Sequence, residues 1–311
     1  MRILVTGGAG FIGSHVVDAL VEAGHDVAVV DNLASGRRAN VHPAARLHML
    51  DIRDTGLDAI VTRERPEVIV HHAAQVDVRK STAEPIHDAE INLLGTLHLL
   101  QCALRHGVRK VVYASTAAVY GEPEYLPVDE EHPIRPLCEY GVSKHTVEHY
   151  LHMYAVNYGL DYTALRYPNV YGPRQDPHGE AGVVAIFAGK MLRGETCVIN
   201  GDGNQGRDFL YVADVARANA MVVGEAGPRA VVNLGTGVAT TINHLFEHLA
   251  AATGYARPAV YGPAKVGETY RIYHAVQRAA DTLGWRPEVT LDDGLANTVR
   301  YFAEHGAAAR P

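Results

Sequence analysis

The chain has 311 residues, 47% of them hydrophobic, and a formal net charge of −7 at pH 7; it can bury one large core or two modest ones, and it carries no basic footprint for nucleic acid. Three cysteines, Cys102, Cys138 and Cys197, are too few and too scattered for a disulfide framework or a cysteine zinc site. Met1-Arg2 runs straight into an apolar strand pattern and no apolar run is long enough to cross a bilayer, so no signal peptide, no membrane partner and a cytoplasmic location are expected.

The first stretch organises the rest. Ile3-Leu4-Val5-Thr6 reads as a buried strand running into Gly7-Gly8-Ala9-Gly10-Phe11-Ile12-Gly13, and a helical stripe follows in Val16, Val17, Leu20 and Val21. Glycine at 7 and 10 permits a tight turn and close approach to a pyrophosphate, and glycine at 13 lets the helix pack on the strand. The helix N-terminus offers unpaired N–H groups and the positive end of its dipole to phosphates. The spacing is Gly-x-x-Gly-x-x-Gly, and an ordinary strand–helix turn also uses such glycines. A second apolar strand, residues 27–30, ends in Asp31, eighteen residues past the last glycine. A carboxylate there accepts both ribose hydroxyls of an adenosine and repels a 2′-phosphate, which points to NAD rather than NADP. Arg37 and Arg38 just beyond are of the type that holds a 2′-phosphate, although such a pair is more often a solvated loop charge.

Further strands are expected at residues 46–50, ending at Asp51, at 67–70, ending at His71-His72-Ala73-Ala74, and at 110–115. One long helix is expected over residues 85–106, closed by Gly107. This alternation predicts an α/β fold, a doubly wound parallel sheet with ligand at the strand C-termini. Asp31, Asp51, Ala73 and Ser115 are therefore expected to line one crevice. After Tyr167 the texture changes. Residues 168–182 read as a loop, followed by a helix to Leu192 and a strand at 196–200. Residues 209–212, the 214–224 helix and the 231–235 strand read as a return to the main sheet. Helices near 241–253, 277–283 and 291–304 complete a smaller C-terminal lobe. The expected division is 1–168 with returning segments at about 209–236, against 169–208 and 237–311.

Thr116, Tyr140 and Lys144 carry the chemistry. Tyr140 and Lys144 are four residues apart at the start of a helical pattern, so they share a face. A tyrosine of ordinary pKa, ~10, is a poor base at neutral pH. A lysine ammonium beside it, with a cationic nicotinamide ring nearby, favours the phenolate. Thr116 follows a strand end, where its hydroxyl can bond a substrate oxygen. Tyr-x-x-x-Lys pairs are frequent by chance on surface helices; after a dinucleotide loop and a strand-end Ser115-Thr116 the pair reads as catalytic. His145, His149 and His152 recur at a spacing that can hold a metal, but no carboxylate is arranged to complete a site, so this face reads as surface or interface and no metal is expected. His71-His72 read as packing and pocket lining, and Cys138 has no base beside it. Arg207 suits a diphosphate by charge; a structural ion pair is the alternative on residue type alone.

With these residues in place, the chain resembles the extended short-chain dehydrogenase/reductase family. The matching residues are Thr6 to Gly13, Asp31-Asn32-Leu33, Asp51-Ile52, Ala73-Ala74, Asn92-Leu-Leu-Gly-Thr96, Ser115-Thr116, Val119-Tyr120-Gly121, Tyr140-Gly-Val-Ser-Lys144, Arg166 to Arg174 and Arg207 to Asp214. They cover essentially the whole chain. Within the family the likeness is to the branch that epimerises UDP-hexoses at C4, and the stretch from Asn169 to Phe187 strengthens it. The resemblance implies a Rossmann-like sheet with a smaller substrate-binding lobe, NAD as cofactor, a UDP-sugar substrate and a homodimer. It implies cofactor contacts from Gly7, Gly10, Phe11, Ile12, Gly13, Asp31, Asn32, Asp51, Ile52, Ala73, Ala74, Asn92, Ser115, Tyr140, Lys144 and Tyr167. It implies substrate contacts from Thr116, Tyr140, Asn169, Val183, Val198, Asn200, Arg207, Lys265 and Glu268.

The implied reaction is removal of the 4-hydroxyl proton by Tyr140, passage of the C4 hydride to NAD, rotation of the 4-keto sugar and return of the hydride to its other face. Related dehydratases and decarboxylases carry acidic residues just after the active-site threonine; Ala117 and Ala118 stand there, which leaves epimerisation. Lys265-Val-Gly-Glu268 replaces the family's Arg-x-Gly-Asp, and a lysine cannot make arginine's planar bidentate contact. Ile272 aligns with the side chain that limits bulk at the sugar C2 and favours a plain hexose. The alternatives are 4-epimerisation of UDP-N-acetylglucosamine or UDP-glucuronate, and a nucleotide-sugar oxidoreductase with exchangeable NAD(P)H.

Overall fold

The structure, a computed structural model, describes residues 1–177, 182–264 and 269–306. In chain order the first half comprises β1 (Arg2–Thr6), α1 (Phe11–Glu22), β2 (Asp26–Asp31), β3 (Arg46–Met49), α2 (Leu57–Glu64), β4 (Val68–His71), α3 (Val78–Ala83), α4 (Pro85–Ala89), a π-helical turn (Glu90–Gly95), α5 (Thr96–Arg105) and β5 (Lys110–Thr116). Next come α6 (Glu139–Tyr158), β6 (Asp161–Tyr167), β7 (Asn169–Tyr171), α7 (Val183–Leu192), β8 (Val198–Asn200), β9 (Gly206–Arg207), β10 (Phe209–Tyr211) and α8 (Val212–Val222). The chain continues through β11 (Ala230–Asn233), β12 (Thr240–Thr241), α9 (Ile242–Thr253), β13 (Val260–Gly262), β14 (Arg271–Ile272), α10 (Gln277–Leu283) and α11 (Leu291–His305).

Seven strands form one sheet in the order β11-β6-β5-β4-β1-β2-β3, every neighbour parallel. Strands covered on both faces must be apolar at successive positions, and the alternation sorts them. Ile3, Val5, Val27, Val29, Val68 and Val70 point into a core shared with Val16, Val17 and Leu20 of α1 and Val215 and Val222 of α8. Leu4, Ala28, Val30 and Ile69 point the other way, against Leu57 and Val61 of α2, Leu99 and Leu100 of α5 and Val147 and Leu151 of α6. Each of these valine, leucine and isoleucine side chains contributes about 1.5–3 kcal/mol on burial. A third core joins Val184, Phe187 and Met191 of α7 to Leu245 and Leu249 of α9 and Leu295 and Phe302 of α11. The Rossmann-like doubly wound sheet expected from the sequence is present.

Three expectations are corrected, and one element is added. Residues 209–212 do not return to the main sheet: β10 pairs in parallel with β7 in a separate two-stranded sheet. Residues 168–182 are accordingly not all loop, because β7 lies within them. Pro168 has no N–H, so the ladder of β6 ends at Tyr167 and the chain resumes with a new partner. The apolar pattern of residues 209–211 gave a strand without indicating its neighbour. The long helix expected over 85–106 is interrupted by the π-helical turn, which places Asn92 at an irregular point of the helix. The short α3 was not expected; the Asp77 side chain caps it by accepting from the Lys80 N–H at 3.0 Å. Among the described residues no helix is long and apolar enough to cross a membrane.

Candidate active site

The glycine loop is as tight as its spacing requires. Gly7 has a φ of +70°, and a Cβ there would lie 2.6 Å from the Ala73 nitrogen. A Cβ on Gly13 would lie 2.2 Å from the Gly7 carbonyl oxygen, whereas at Gly10 the nearest atom is 3.2 Å away. Gly13 thus serves packing of helix on strand, and Gly10 leaves room for a ligand. Gly10 is the N-cap of α1 and supplies no side-chain bond, so the first-turn N–H groups at Phe11, Ile12 and Gly13 are available to a pyrophosphate.

Asp31 ends β2, nearly buried; its carboxylate accepts from the Ala9 N–H at 2.9 Å and the Leu33 N–H at 2.8 Å. The charge that would read the ribose is therefore tied to the glycine loop itself. Beside it Asn32 donates to Asp51 at 2.9 Å, and Arg53 clamps Asp51 with two bonds of 2.9 Å. The Arg53 guanidinium holds the Asp51 carboxyl at a pKa of about 2. Ile52 is buried beneath, and the Ala73 N–H donates to Thr6 Oγ1 at 3.2 Å. Asp31, Asp51 and Ala73 thus lie at or just past the C-terminal ends of β2, β3 and β4, and Ala74 follows. A loop that Cβ atoms would fill, an uncapped helix start and a strand-end carboxylate fit a dinucleotide.

Tyr140 and Lys144 occupy the first turns of α6. The Tyr140 phenol faces the Thr116 hydroxyl at the end of β5. Burial pushes the Tyr140 pKa up to about 12, and the Thr116 hydroxyl opposes this only in part. Lys144 is buried with Nζ 4.4 Å from the centroid of the Tyr113 ring. Burial lowers its pKa to about 7 against the pull of Asp88 and Glu148. The expected phenolate relied on a cationic nicotinamide as well as the lysine, and within the protein's own groups desolvation outweighs the local field. Ala117 and Ala118 follow Thr116 in a single 3₁₀ turn.

Below this group lies a charged layer that sequence reading missed. The Glu148 carboxylate, one turn after Lys144, accepts from Ser115 Oγ at 2.6 Å, from Arg166 at 3.0 and 2.7 Å and from His145 Nδ1 at 2.9 Å. Burial alone would raise its pKa; the His145, Arg166 and Ser115 bonds hold it at about 2. Arg166 also donates to the Tyr120 hydroxyl at 2.9 Å, and Tyr120 to Asn233 at 2.6 Å. The i,i+4 spacing from Lys144 to Glu148 was the available signal.

Three expected cofactor residues have their side chains engaged within the protein. Ser115 turns its hydroxyl to Glu148. Asn92 is buried, with its amide bonded to Gln75, Asp88 and Ser143. Tyr167 bonds Asn219 and stacks on His72 at 6.0 Å. His71 bridges Thr6 and Thr96 at 2.6 and 2.8 Å, as packing. On the outer face of α6, His149 Nε2 lies 3.0 Å from His145 Nε2. Among the described residues no group of three or more His, Cys, Asp or Glu is arranged to hold a metal.

The expected substrate residues are dispersed over short elements. Asn169 is exposed at the start of β7, Val183 opens α7, and Val198 and Asn200 flank β8. Arg207 on β9 donates to the Tyr270 carbonyl at 3.2 Å. Lys265 and Glu268 lie outside the described residues.

The fold and its glycine loop define a dinucleotide-binding α/β enzyme. The model of the NAD dependent epimerase/dehydratase family matches residues 3–235, and the chain belongs to that family. The UDP-glucose 4-epimerase of Mycolicibacterium smegmatis is 44% identical over 97% of this chain and 98% of its own length. Among solved structures, the UDP-glucose 4-epimerase of Thermotoga maritima with UDP-glucose superposes with a TM-score of 0.96 at 47% identity, covering 98% of this chain and 99% of that one. The UDP-glucose 4-epimerase of Thermus thermophilus in complex with NAD gives 0.92 at 43% identity, covering 99% and 100%.

Proposed function

We propose that the chain interconverts UDP-galactose and UDP-glucose by NAD-dependent epimerisation at C4. The observation that carries the reading is a Thr116–Tyr140–Lys144 group at the mouth of the glycine-looped sheet, followed by two alanines that can neither donate nor take a proton. Full-length likeness to UDP-glucose 4-epimerases supports it.

Tyr140 Oη takes the proton of the sugar 4-hydroxyl and later returns it. Thr116 Oγ1 bonds the same oxygen, and the Lys144 ammonium stabilises the phenolate. NAD, when bound, would supply a reversible two-electron acceptor. Gly7, Gly10, Phe11, Ile12 and Gly13 hold its pyrophosphate; Asp31 and Asn32 its ribose; Asp51, Ile52, Ala73 and Ala74 line the remaining wall, with backbone rather than side-chain roles for Asn92, Ser115 and Tyr167. Residues 1–168 form the cofactor half together with α8 and β11, about 212–236, the later part of the chain that returns to the main sheet. Asn169, Val183, Val198, Asn200 and Arg207, with Lys265 and Glu268, grip the nucleotide in the other. Ile272, packed among Val119, Tyr120 and Val128, has fixed bulk and favours a plain hexose over an N-acetylated one. A second copy of the chain covers the exposed Val142, Val156 and Tyr158 of α6 and Leu94 beside it. Three free cysteines suit the reducing cytoplasm.

The test is a panel of UDP-galactose, UDP-glucose, UDP-N-acetylglucosamine, UDP-glucuronate and dTDP-glucose, incubated without added cofactor and resolved by NMR. Interconversion of the first two, faster than any other pair, is the expected result; consumption of added NADH with a 4-keto sugar would instead mark an oxidoreductase. Asp31→Ser should lower the NAD released on denaturing the purified protein by about 10-fold or more, since a charge-assisted pair contributes about 1.5–3 kcal/mol. NAD recovery equal to the wild type would remove Asp31 from the ribose site.

A further inference from the structure

Asp88 is a carboxylate buried to 1% exposure at the end of α4, immediately before the π-helical turn. Its Oδ1 accepts from Ser81 Oγ at 2.6 Å and Asn92 Nδ2 at 2.9 Å, both neutral donors. Among the described residues it has no lysine, arginine or histidine nitrogen at ion-pair distance. A buried carboxylate with only neutral partners is costly, and a fold that keeps one invites a reason.

Asn92 supplies the connection. The same Nδ2 reaches Ser143 Oγ at 3.2 Å, and Ser143 donates to the Tyr140 carbonyl at 3.1 Å. Asp88 is thereby tied to the turn of α6 that carries Tyr140 and Lys144. We propose that Asp88 is a positioning residue of the active site, the buried counter-charge that holds Lys144 as an ammonium behind Tyr140. This rests on the reading of Tyr140 as acid–base and Lys144 as its cation.

The other groups facing Lys144 cannot take that part. Glu148, on the same helix, is neutralised by the bidentate Arg166. His71 and His72 at the end of β4 are buried, which keeps both neutral, with His72 at about 4. Tyr113 of β5 presents a ring face, and burial raises its hydroxyl pKa. Cys138 before α6 is likewise kept as a thiol by burial. Asp88 is the net negative charge left over, and it bears on both Lys144 and Tyr140.

A negative charge favours the ammonium and the neutral phenol, so its removal lowers both pKa values. The two sites titrate as a pair, which makes the pH profile the proper readout. Asp88→Asn preserves shape and the acceptor for Ser81 and Asn92; Asp88→Ser is a second charge-free variant should the amide disturb folding. With NAD-loaded protein and UDP-galactose, both limbs of the kcat/KM profile should move to lower pH, by about one unit, and kcat should fall more than KM changes. Ultraviolet difference titration against Tyr140→Phe should show the phenolate appearing at lower pH. Asp88→Glu should restore the wild-type limbs. Limbs unmoved in both charge-free variants, with Tyr140→Phe inactive, would overturn the inference and leave the catalytic reading standing. Normal turnover by Tyr140→Phe would overturn both.

Discussion

Tyr140→Phe is expected to lower kcat for UDP-galactose by about 10³-fold, with NAD still recovered at the wild-type ratio from the purified protein. The substitution removes one oxygen and keeps the ring, so packing at the start of α6 is preserved. What is lost is the phenol oxygen that faces Thr116. Chromatographic assay of UDP-glucose formation, paired with release and quantitation of the nucleotide, separates lost chemistry from lost cofactor. A rate near that of the wild type would remove Tyr140 from the mechanism.

The pKa directions sharpen that expectation. In the chain alone burial holds Tyr140 at about 12 and Lys144 at about 7, the reverse of what a neutral-pH base needs. What is missing is positive charge near the phenol. A cationic nicotinamide would supply it only when oxidised cofactor is bound, so the base would be armed in the one state ready to accept electrons. Protein depleted of NAD should then show no phenolate absorbance at neutral pH.

The sheet was legible in the sequence because strands buried on both faces leave unbroken apolar runs, and several of these runs end at a glycine, an aspartate or a Ser-Thr pair. The Tyr140–Lys144 pair was legible because helical spacing converts sequence distance into a shared face. Partner choice was less legible. Residues 209–211 look like any buried strand, and nothing local tells β10 that β7 rather than β6 is its neighbour. The π-helical turn at residues 90–95 was also not legible: Asn92 and Gly95 are weak helix formers, but nothing in their spacing tells a widened turn from an ordinary helix. The charged layer was least visible. Glu148 and Arg166 lie on different elements, and a buried pair is recognised by burial, which only the tertiary structure provides. Asp88 has the same character: in the sequence it is one acidic residue on a helix, and its burial with only neutral hydrogen-bond partners is a three-dimensional fact.

Gly13→Ala is the substitution expected to do most damage to the cofactor site. The new Cβ would lie 2.2 Å from the Gly7 carbonyl oxygen, 2.9 Å from its carbon and 3.1 Å from the Gly8 Cα. All three are backbone atoms of the loop, so no side chain can swing aside. Either α1 lifts away from β1 or the loop opens. Lifting α1 disturbs Val16, Val17 and Leu20, which are fully buried, and overpacking of this kind costs about 1–3 kcal/mol. Opening the loop moves the N–H groups that would hold the pyrophosphate. Both routes predict a lower melting temperature and little or no NAD in the purified protein. Gly10→Ala provides the contrast. Its φ of −77° suits alanine, and its nearest neighbour, the Gly7 carbonyl oxygen, would be 3.2 Å away, so stability should fall far less than in Gly13→Ala. If a pyrophosphate approaches at Gly10, the methyl group should still reduce the NAD content. Calorimetry and nucleotide release on the two variants therefore distinguish packing from ligand approach. Full NAD content in Gly10→Ala would place the pyrophosphate elsewhere on the loop.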